Sequence, residues 1–471
     1  MGSSVPVQRM TNTKLLSVIA AAELTHGQVA RDIHRIAGEI ADDGSAPADV
    51  AGIGRSHVSH WVAGVTPSGR LPALLCEVLS RRLGRTVTPE EIGLPSAPPS
   101  AGGTLGWEAD TLVSLRDLGG AYVDAARRRV LATAAYSLAA LTLPEPAWWA
   151  RMAALVRAPS EGAQVGRGDV AAVREAVALF SRMDQRRGGG HARSAVVQYL
   201  TSDVAAYLRG RYSDDGVRRD MFSTGSELAY LSGSMAFDNG EHAAAQGFFN
   251  VAVKLAAEAD DPAIAAHVLR AMAHQAVDLG HYREAQMLAA ASMERHRYTA
   301  ACHRERALLG VVNARALAAG KQARGAAQAL LRAESDLRNA EPGDDEPQRV
   351  FFFAEASLAH ETACTLRDMG DLRGAVQQFR RSVRTRRASS FTRTHAVTLG
   401  YLGAVQARQG ELEAACRTWS KALDAMEGVR SGRTRQVAAT VRGTLSPLRG
   451  RRIRLIHEVD ARAGCYLAAH S

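Results

Sequence analysis

The chain has 471 residues, a formal charge of +10 at pH 7 and only 5% aromatic residues. This length allows two or three domains, and few aromatics with abundant alanine favour packed helices over a large β-sheet. Five scattered cysteines without C-x-x-C spacing argue against a disulfide framework or a zinc site. From this composition we expect an all-α fold. No apolar run fits a signal peptide or a membrane span, so we expect a cytoplasmic protein. The basic balance favours an acidic partner such as nucleic acid.

Two helices are predicted after a disordered tail, residues 1–12. The first runs from Lys14 to Leu24 behind a cap at residue 12 or 13, and its inward face is expected to hold Leu15, Leu16, Ile19 and Ala20. The second begins at Thr25, because Thr25 and Gln28 have the spacing of a capping box. A polar, turn-rich stretch, residues 38–53, separates them from the next helix.

The third helix begins at residue 55 or 56 and ends at Gly64. Val58, Trp61 and Val62 fall at i, i+3 and i+4, so this apolar stripe must pack against other helices. The hydroxyl, imidazole and guanidinium groups left outside suit a DNA major groove, where they can read base edges. The pattern therefore predicts a recognition helix, and an ordinary surface helix with an aromatic anchor is the alternative.

A fourth helix, residues 70–83, and a turn at 88–92 complete this unit. It resembles the lambda-repressor-like (xenobiotic-response-element type) helix-turn-helix domain over roughly residues 10–95, through Gln28, Val29, Ala30, Val58, Trp61, Gly64 and Pro67. The resemblance implies a set of base-facing residues, Arg55, Ser56, His57, Ser59 and His60. It also implies phosphate contacts by Gln28 and Arg70. The link before the third helix is much longer than that family's tight turn.

Charge is unevenly distributed in residues 1–95, the predicted DNA-binding domain. Nine Arg or Lys balance nine Asp or Glu over the whole unit, whereas residues 53–88 hold five Arg against one Glu. We therefore expect positive charge where phosphates would be contacted.

A Pro/Gly/Ser-rich linker is predicted at residues 96–106, followed by an irregular helical region at 107–224. Within that region a helix from Val170 to Met183 precedes a triple glycine, residues 188–190. The triple glycine is not a phosphate loop, because no strand precedes it and no G-K-[ST] follows it. We interpret it as a turn between two helices.

A repeat is visible in residues 225–428. Glycines recur with gaps of 40, 40, 50 and 40 residues, at Gly240, Gly280, Gly320, Gly370 and Gly410. Each is expected to turn the chain between two paired helices, and small or aromatic residues fill the stack, namely Ala245, Phe249, Ala285, Ala375, Phe379, Ala415 and Trp419. Gly233 and Gly403, each seven residues before a turn glycine, let the paired helices approach closely.

This pattern resembles the tetratricopeptide repeat, although the copy at Gly320 lacks the aromatic residue and the period exceeds the usual ~34 residues. The resemblance implies an α-solenoid with a concave binding surface and no catalytic centre.

An Arg-rich helical cap is predicted at residues 429–471. Eight arginines and no acidic residue lie between positions 430 and 454, at Arg430, Arg433, Arg435, Arg442, Arg449, Arg451, Arg452 and Arg454. A solvated polar face is the simpler interpretation, and contact with DNA, an acidic ligand or a partner subunit is the alternative.

No catalytic or nucleotide-binding motif is present, so we expect neither an enzyme nor a cofactor. His57 and His60 lie three residues apart on one helix but lack a third metal ligand nearby, which favours a DNA-facing role. His267, His274 and His281 are spaced by seven, and we interpret them as repeat-stacking or groove residues.

The whole layout is similar to actinobacterial helix-turn-helix/repeat proteins that include negative regulators of sporulation and antibiotic production. The matching segments are residues 57–64, 72–74, 81–85 and 184–190. The resemblance implies a sequence-specific regulator that represses secondary metabolism or development. Our hypothesis is a nucleoid-associated homodimer that binds double-stranded DNA and accepts a peptide, small molecule or protein in the repeat groove. The alternative is an interaction scaffold that does not bind DNA.

Overall fold

The structure is a computed structural model that describes residues 11–40, 48–68, 70–83, 87–94, 106–123, 136–157, 164–341, 346–451 and 453–470. The predicted all-α class is confirmed, because these residues are helices and connections apart from one parallel pair of two-residue strands, β1 (Gln164–Val165) and β2 (Arg211–Tyr212). None of the described helices is both long and apolar enough to cross a membrane. The predicted tail and linker lie outside the described residues, except for residues 11, 12 and 106.

The head, defined here as the described residues between 11 and 94, has its own hydrophobic core. Its helices are α1 (Thr13–Ala21), α2 (His26–Ile40), α3 (Ala48–Ala51), α4 (Arg55–Val62) and α5 (Leu71–Leu83). Helix α2 packs against α3, α4 and α5, and α1 packs against α4 and α5.

Helix α1 differs from the predicted inward face at two of its four positions. Asn12 caps the helix by accepting a hydrogen bond from the backbone of Leu15. Leu15, Val18 and Ile19 are buried, whereas Leu16 is 44% exposed and Ala20 is exposed. The inward stripe follows positions 15, 18, 19 and 22, and Leu16 lies about 100° around the helix from Leu15.

The long link between α2 and α4 does not separate these two helices. Residues 41–47 lie outside the described part, but α3 follows them and buries Val50 completely in the head core. His34 Nε2 on α2 lies 2.6 Å from the carbonyl oxygen of Ile53, immediately before α4. Helices α2 and α4 therefore remain in direct contact.

Beyond the head, the first helices surround the start of a second, larger core. They are α6 (Thr111–Val123), α7 (Pro146–Ala153), α8 (Arg167–Arg187), α9 (Gly189–Tyr199), a π-helical turn (Leu200–Val204) and α10 (Ala205–Leu208), with a 3₁₀ turn at Ala139–Leu141. Helix α8 extends beyond the predicted range 170–183 at both ends.

The rest of the chain is an array of helical hairpins. The paired helices are α11 (Asp215–Asp238) with α12 (His242–Glu258), α13 (Pro262–Asp278) with α14 (Tyr282–Ser292), α16 (His303–Ala319) with α17 (Ala323–Arg338), α18 (Glu355–Asp368) with α19 (Leu372–Thr385), α20 (Thr392–Arg408) with α21 (Leu412–Ala425), and α22 (Gly432–Leu445) with α23 (Arg454–Ala469). A short helix, α15 (Arg295–Ala300), and 3₁₀ turns at Gln348–Val350 and Ser446–Arg451 connect them.

The turns inside these hairpins explain the recurring glycines. Gly240, Gly280, Gly370 and Gly410 have φ between 80° and 91°, a left-handed conformation that glycine adopts at low cost. The third turn has a different conformation, since Gly320 has φ −80° and Lys321 takes the left-handed position with φ 63°. A Cβ at Gly320 would lie 1.7 Å from Gln286 Nε2, which is the end of a flexible side chain.

Small residues let the paired helices approach at aromatic side chains. A Cβ at Gly233 would lie 2.7 Å from the Phe249 ring, and one at Gly403 would lie 2.5 Å from the Trp419 ring. The recurring alanines and aromatics after the turns are all fully buried, namely Ala245, Phe249, Ala285, Ala375, Phe379, Ala415 and Trp419.

The end of the array returns to its beginning at what we call the seam, where residues 430–435 meet residues 187–190 and 238–239. The backbone N–H of Arg430 donates to the carbonyl of Arg187 at 2.7 Å, and that of Gly190 donates to the carbonyl of Arg430 at 3.0 Å. The triple glycine makes room for this crossing, because a Cβ at Gly188 would lie 2.3 Å from the Arg430 carbonyl oxygen. The hairpins therefore close into a ring.

The Arg-rich run is not simply a solvated face. Arg433 pairs with Asp278 at 3.0 Å and lies over the Phe237 ring, and Arg442 lies 3.4 Å from Asp460. Arg435 donates to the carbonyl of Asn239. Arg452 and the side chains of Arg449 and Arg451 lie outside the described residues. These described arginines thus bind groups of their own chain.

Candidate functional site

Helix α4 exposes a polar face on the side opposite its buried stripe. Val58, Trp61 and Val62 are buried in the head core, while the exposed residues are Arg55, Ser56, His57 and His60. Gly54 caps the start of the helix, and its backbone N–H donates to His57 Nδ1 at 3.2 Å. His57 therefore helps to cap the start of the helix.

Ser59 is half-buried and bound within the head. Its hydroxyl donates to the carbonyl of Arg55 at 3.0 Å, and its oxygen lies 2.9 Å from His26 Nδ1. Because that hydroxyl proton is used, His26 Nδ1 must carry a proton and donate to Ser59. His26, the first residue of α2, is missed by the sequence interpretation, although the capping box at residue 25 places it at this helix start.

Gln28 and Arg70 lie at the starts of two other head helices. Thr25 donates from its backbone N–H and from its hydroxyl to Gln28 Oε1, both at 2.8 Å, so the capping box is present and the Gln28 amide N–H groups point elsewhere. Arg70 immediately precedes α5 and is half-buried. Positively polarised helix starts are suitable positions for phosphate contacts.

The cationic excess around α4 is smaller than the residue count indicates. Arg81 forms an ion pair with Glu77 at 2.9 Å, and Arg82 donates to the carbonyl of Ala22. Arg85 lies outside the described residues. Among the five arginines between positions 53 and 88, Arg55 lies on α4 and is exposed, so it contributes positive charge to the polar face of this helix.

The head is fastened to the ring by a short segment, residues 136–138, which we call the strap. The backbone N–H of Leu138 donates to Glu77 Oε1 at 3.0 Å, and Arg81 donates to the carbonyl of Tyr136 at 3.1 Å. On its other side the strap exchanges two hydrogen bonds with Gln246 of α12, through the backbone N–H and carbonyl of residue 137. The Tyr136 ring stacks on His281 at 5.6 Å. The head is thus held by contacts beyond the linker.

A cavity of about 180 Å³ lies inside the ring. It is lined by the first helix of each of five hairpins, α11, α13, α16, α18 and α20, together with α8 and the start of α22. Its apolar wall is largely aromatic, formed by Tyr230, Phe237, Phe351, Phe352 and Phe353. His274 lines it, whereas His267 is buried against Glu305 at 2.8 Å, so the three histidines spaced by seven have different surroundings.

Five arginines line the same cavity, at Arg270, Arg349, Arg386, Arg393 and Arg433. Three of them are neutralised by carboxylates. Arg349 pairs with Glu227 and Glu305, Arg393 with Asp184 and Asp238, and Arg433 with Asp278, all within 3.0 Å. These pairs join hairpins that are far apart in sequence.

Burial controls the protonation of the cavity. It lowers the pKa values of His274 and His360 well below their usual range, so both imidazoles are neutral at pH 7. Burial and the neighbouring Asp238 raise the pKa of Asp184 to about 6, although Arg393 opposes the shift. Burial alone would also raise the pKa of Asp278, but the neighbouring Arg433 and Arg315 lower it. Within the described residues no cluster of three metal-ligating side chains occurs.

These features define a helical protein with a compact head and a closed ring of hairpins around a polar-aromatic cavity. A family model described as the SP15 N-terminal domain matches residues 15–95. The matched residues are almost the same as those of the head core, which extends from Leu15 to Leu94. No curated protein matches the chain.

Proposed function

We propose that the chain is a sequence-specific DNA-binding transcriptional regulator with a helix-turn-helix head and a tetratricopeptide-like ring. The observation that carries the proposal is the exposed face of α4, with Arg55, Ser56, His57 and His60 opposite a buried anchor. A helix held across a second helix, with its polar side outward, is how helix-turn-helix proteins enter the major groove. His26 and Gln28 at the start of α2 would lie beside the duplex backbone.

The test is a genome-wide pull-down of DNA bound to the tagged protein, compared with the Arg55→Ala/His60→Ala variant. We expect discrete peaks that share a palindromic sequence and vanish in the variant, because each base-reading side chain contributes about 1–3 kcal/mol. Lys14→Ala, on the exposed side of α1, is the matched control and should keep the peaks. Identical peaks from the double variant would contradict the proposed reading surface.

The ring is proposed to hold two copies together and to bind an effector. A homodimer would place two heads on half-sites about one helical turn apart. Light scattering of the full chain at micromolar concentration should give twice the monomer mass, and a monomer would remove the dimer from the proposal. The effector would act by differential affinity for two head arrangements.

The resemblance to regulators of sporulation and antibiotic production extends the proposal to repression of development or secondary metabolism. Genes adjoining the bound sites should then be expressed more strongly when the chain is deleted. Decreased expression of those genes would indicate an activator instead.

An interaction scaffold that does not bind DNA is the second candidate. It is favoured by the neutral charge of residues 1–95 and by the engagement of Arg81 and Arg82 inside the protein. Under this alternative neither the natural protein nor the double variant would enrich DNA, and tagged protein would instead retain a protein partner through the ring.

A further inference from the structure

Two of the five cavity arginines have no carboxylate partner in the described part of the chain. Among the described residues, Arg270 and Arg386 form no ion pair, whereas each cavity carboxylate has an arginine partner: Asp184 and Asp238 share Arg393, Glu227 binds Arg349, and Glu361 binds Arg315. Arg270 is 6% exposed and Arg386 is 8% exposed. The Nε atoms of both are buried and lack a hydrogen-bond partner in the structure.

Arg386 is held in place by neutral groups. Its Nη2 donates to the carbonyl of Ala356 at 3.0 Å and to the hydroxyl of Ser382 at 3.2 Å. Burial lowers the pKa of Arg386 to about 10, with Arg393 acting in the same direction and Glu361 opposing it. The guanidinium is therefore cationic at pH 7, fixed, and without a counter-charge in contact. A buried charge in this condition is costly unless an anion neutralises it.

Arg270, on α13, is also held by uncharged hydrogen-bonding partners. It donates from Nη2 to the Tyr230 hydroxyl at 3.0 Å, and the same Nη2 lies 2.9 Å from His267 Nε2. Its guanidinium also lies over the Tyr230 ring at 5.7 Å. Both groups that Arg270 contacts are neutral, because burial lowers the pKa of His267 to about 4 and Tyr230 contributes a hydroxyl.

We propose that the ring cavity is a binding site for a small organic acid with one carboxylate and one aromatic or aliphatic part. The carboxylate would accept hydrogen bonds from Arg386, with Arg270 as the second available donor, and the apolar part would pack on Phe351, Phe352 and Phe353. This inference deepens the proposed function by giving the chemical class of the effector.

The size and charge of the cavity favour a small monoanion. About 180 Å³ is below the ~300–1,000 Å³ of sites that enclose drug-sized ligands, so a peptide would not fit inside the closed ring. Four carboxylates line the same space, at Asp184, Glu227, Asp238 and Glu361, and they would repel a dianionic phosphate more strongly than a carboxylate.

The experiment is calorimetric titration of the full chain with phenylacetate, phenylacetamide and phenyl phosphate at millimolar concentration. We expect phenylacetate to bind about tenfold or more tightly than phenylacetamide, which has the same shape without the charge. Equal affinity for acid and amide, or no binding of phenylacetate, would overturn the proposal. Tighter binding of phenyl phosphate would overturn the monoanion assignment.

Variants of the same helix end locate the site. Arg386→Gln should weaken phenylacetate binding about tenfold or more and leave phenylacetamide unchanged, while Arg384→Gln, an exposed arginine two residues earlier, should change neither. Arg386→Lys keeps the charge and tests the site if the glutamine variant fails to fold. Arg386→Lys should still bind phenylacetate more tightly than phenylacetamide. An Arg386→Gln variant that folds and binds phenylacetate with unchanged affinity would contradict the proposed site.

Direct binding also separates this inference from the proposed function. The Arg55→Ala/His60→Ala variant should bind phenylacetate like the natural protein, because its substitutions lie in the head. Binding of phenylacetate without binding of DNA would support the cavity site and refute the proposed regulator. Binding of DNA without binding of phenylacetate would support the regulator and refute the cavity site.

Discussion

Lys254 shows how a single buried charge can organise the junction between the linker and the ring. The side chain is 0% exposed on α12, and its ammonium group donates to the carbonyls of Gly106 at 2.6 Å and Ala109 at 2.8 Å. Burial lowers its pKa to about 8, although Asp110 and Glu258 act in the opposite direction. The lysine therefore fixes the chain where it enters the ring.

Replacing Lys254 by methionine should change both stability and its pH dependence. In the natural protein the unfolded chain binds more protons between pH 8 and the usual lysine pKa, so stability should rise with pH across that window. From about pH 7.5 to about pH 9.5 the rise from this group is about 2 kcal/mol. Urea unfolding at the two pH values should show this rise in the natural protein and not in Lys254→Met.

The methionine variant should also be about 1–3 kcal/mol less stable than the natural protein near pH 9.5, where the folded lysine is neutral but still donates, because two backbone carbonyls lose their donor. Lys421→Met, at an exposed position on α21, is the control and should alter neither quantity. Parallel pH profiles for Lys254→Met and the natural protein would show that the buried lysine does not titrate in this window.

At the scale of elements, the hairpins depend on close contact between a glycine and a ring. Gly403 on α20 faces the buried Trp419 of α21, whose Nε1 donates to the carbonyl of Gly400 at 3.1 Å. The indole is thus fixed by a hydrogen bond as well as by packing, and it cannot easily move away from an added methyl group.

Gly403→Ala should therefore destabilise the protein by about 1–3 kcal/mol through overpacking. Gly443→Ala, on α22 with no atom of the described residues within 4 Å of the added Cβ, should be neutral or stabilising by up to about 1 kcal/mol, since alanine is the better helix former. Denaturant midpoints of both variants test the contrast. A destabilised Gly443→Ala with an unchanged Gly403→Ala would contradict the close helix contact.

The hairpins also show which features a sequence can reveal. Turn glycines and buried aromatics lie within one hairpin, so their spacing is repeated along the chain and Gly240 or Phe249 is visible by comparison with its counterparts. The pair between Arg393 and Asp184 joins residues 209 positions apart and leaves no periodic trace. The cavity could not be foreseen for this reason, and neither could the strap at Tyr136. Periodicity can also mislead, because Gly320 recurs at the expected spacing but has a backbone conformation different from that of the other turn glycines.

At the scale of the molecule, the strap changes how the head can move. Glu77 is buried, accepts from the strap and pairs with Arg81, and burial raises the pKa of its carboxyl although Arg81 opposes the shift. Residues 136–138 contact α5 on one side and the ring on the other. A movement of the ring would therefore change the orientation of α5.

Glu77→Ala should release the head without unfolding the ring. We expect faster hydrogen exchange at the amide of Leu138 and faster rotational diffusion of the head in relaxation measurements, because that amide loses its acceptor. Glu175→Ala, an exposed carboxylate on α8, is the control. An unchanged Leu138 exchange rate would mean that the strap does not hold the head.

The seam can be tested at Gly188, which combines φ 86° with the nearby Arg430 carbonyl oxygen. Gly188→Ala should cost about 1–3 kcal/mol and open the crossing. Exchange at the amides of Gly190 and Arg430 should accelerate, while Gly168→Ala, with open space around its Cβ, should leave both protected. Protection retained in Gly188→Ala would show that the crossing does not depend on the glycine.

The seam also bears on how the length of this protein can vary. An open solenoid can gain or lose a whole repeat, because each unit contacts only its neighbours. Here removal of one hairpin would displace Arg430 from Arg187 and separate Arg393 from Asp184, so every remaining unit would be affected through the broken crossing. The number of hairpins is consequently constrained by closure, and natural variation in length should be confined to connections such as the stretch after Arg338.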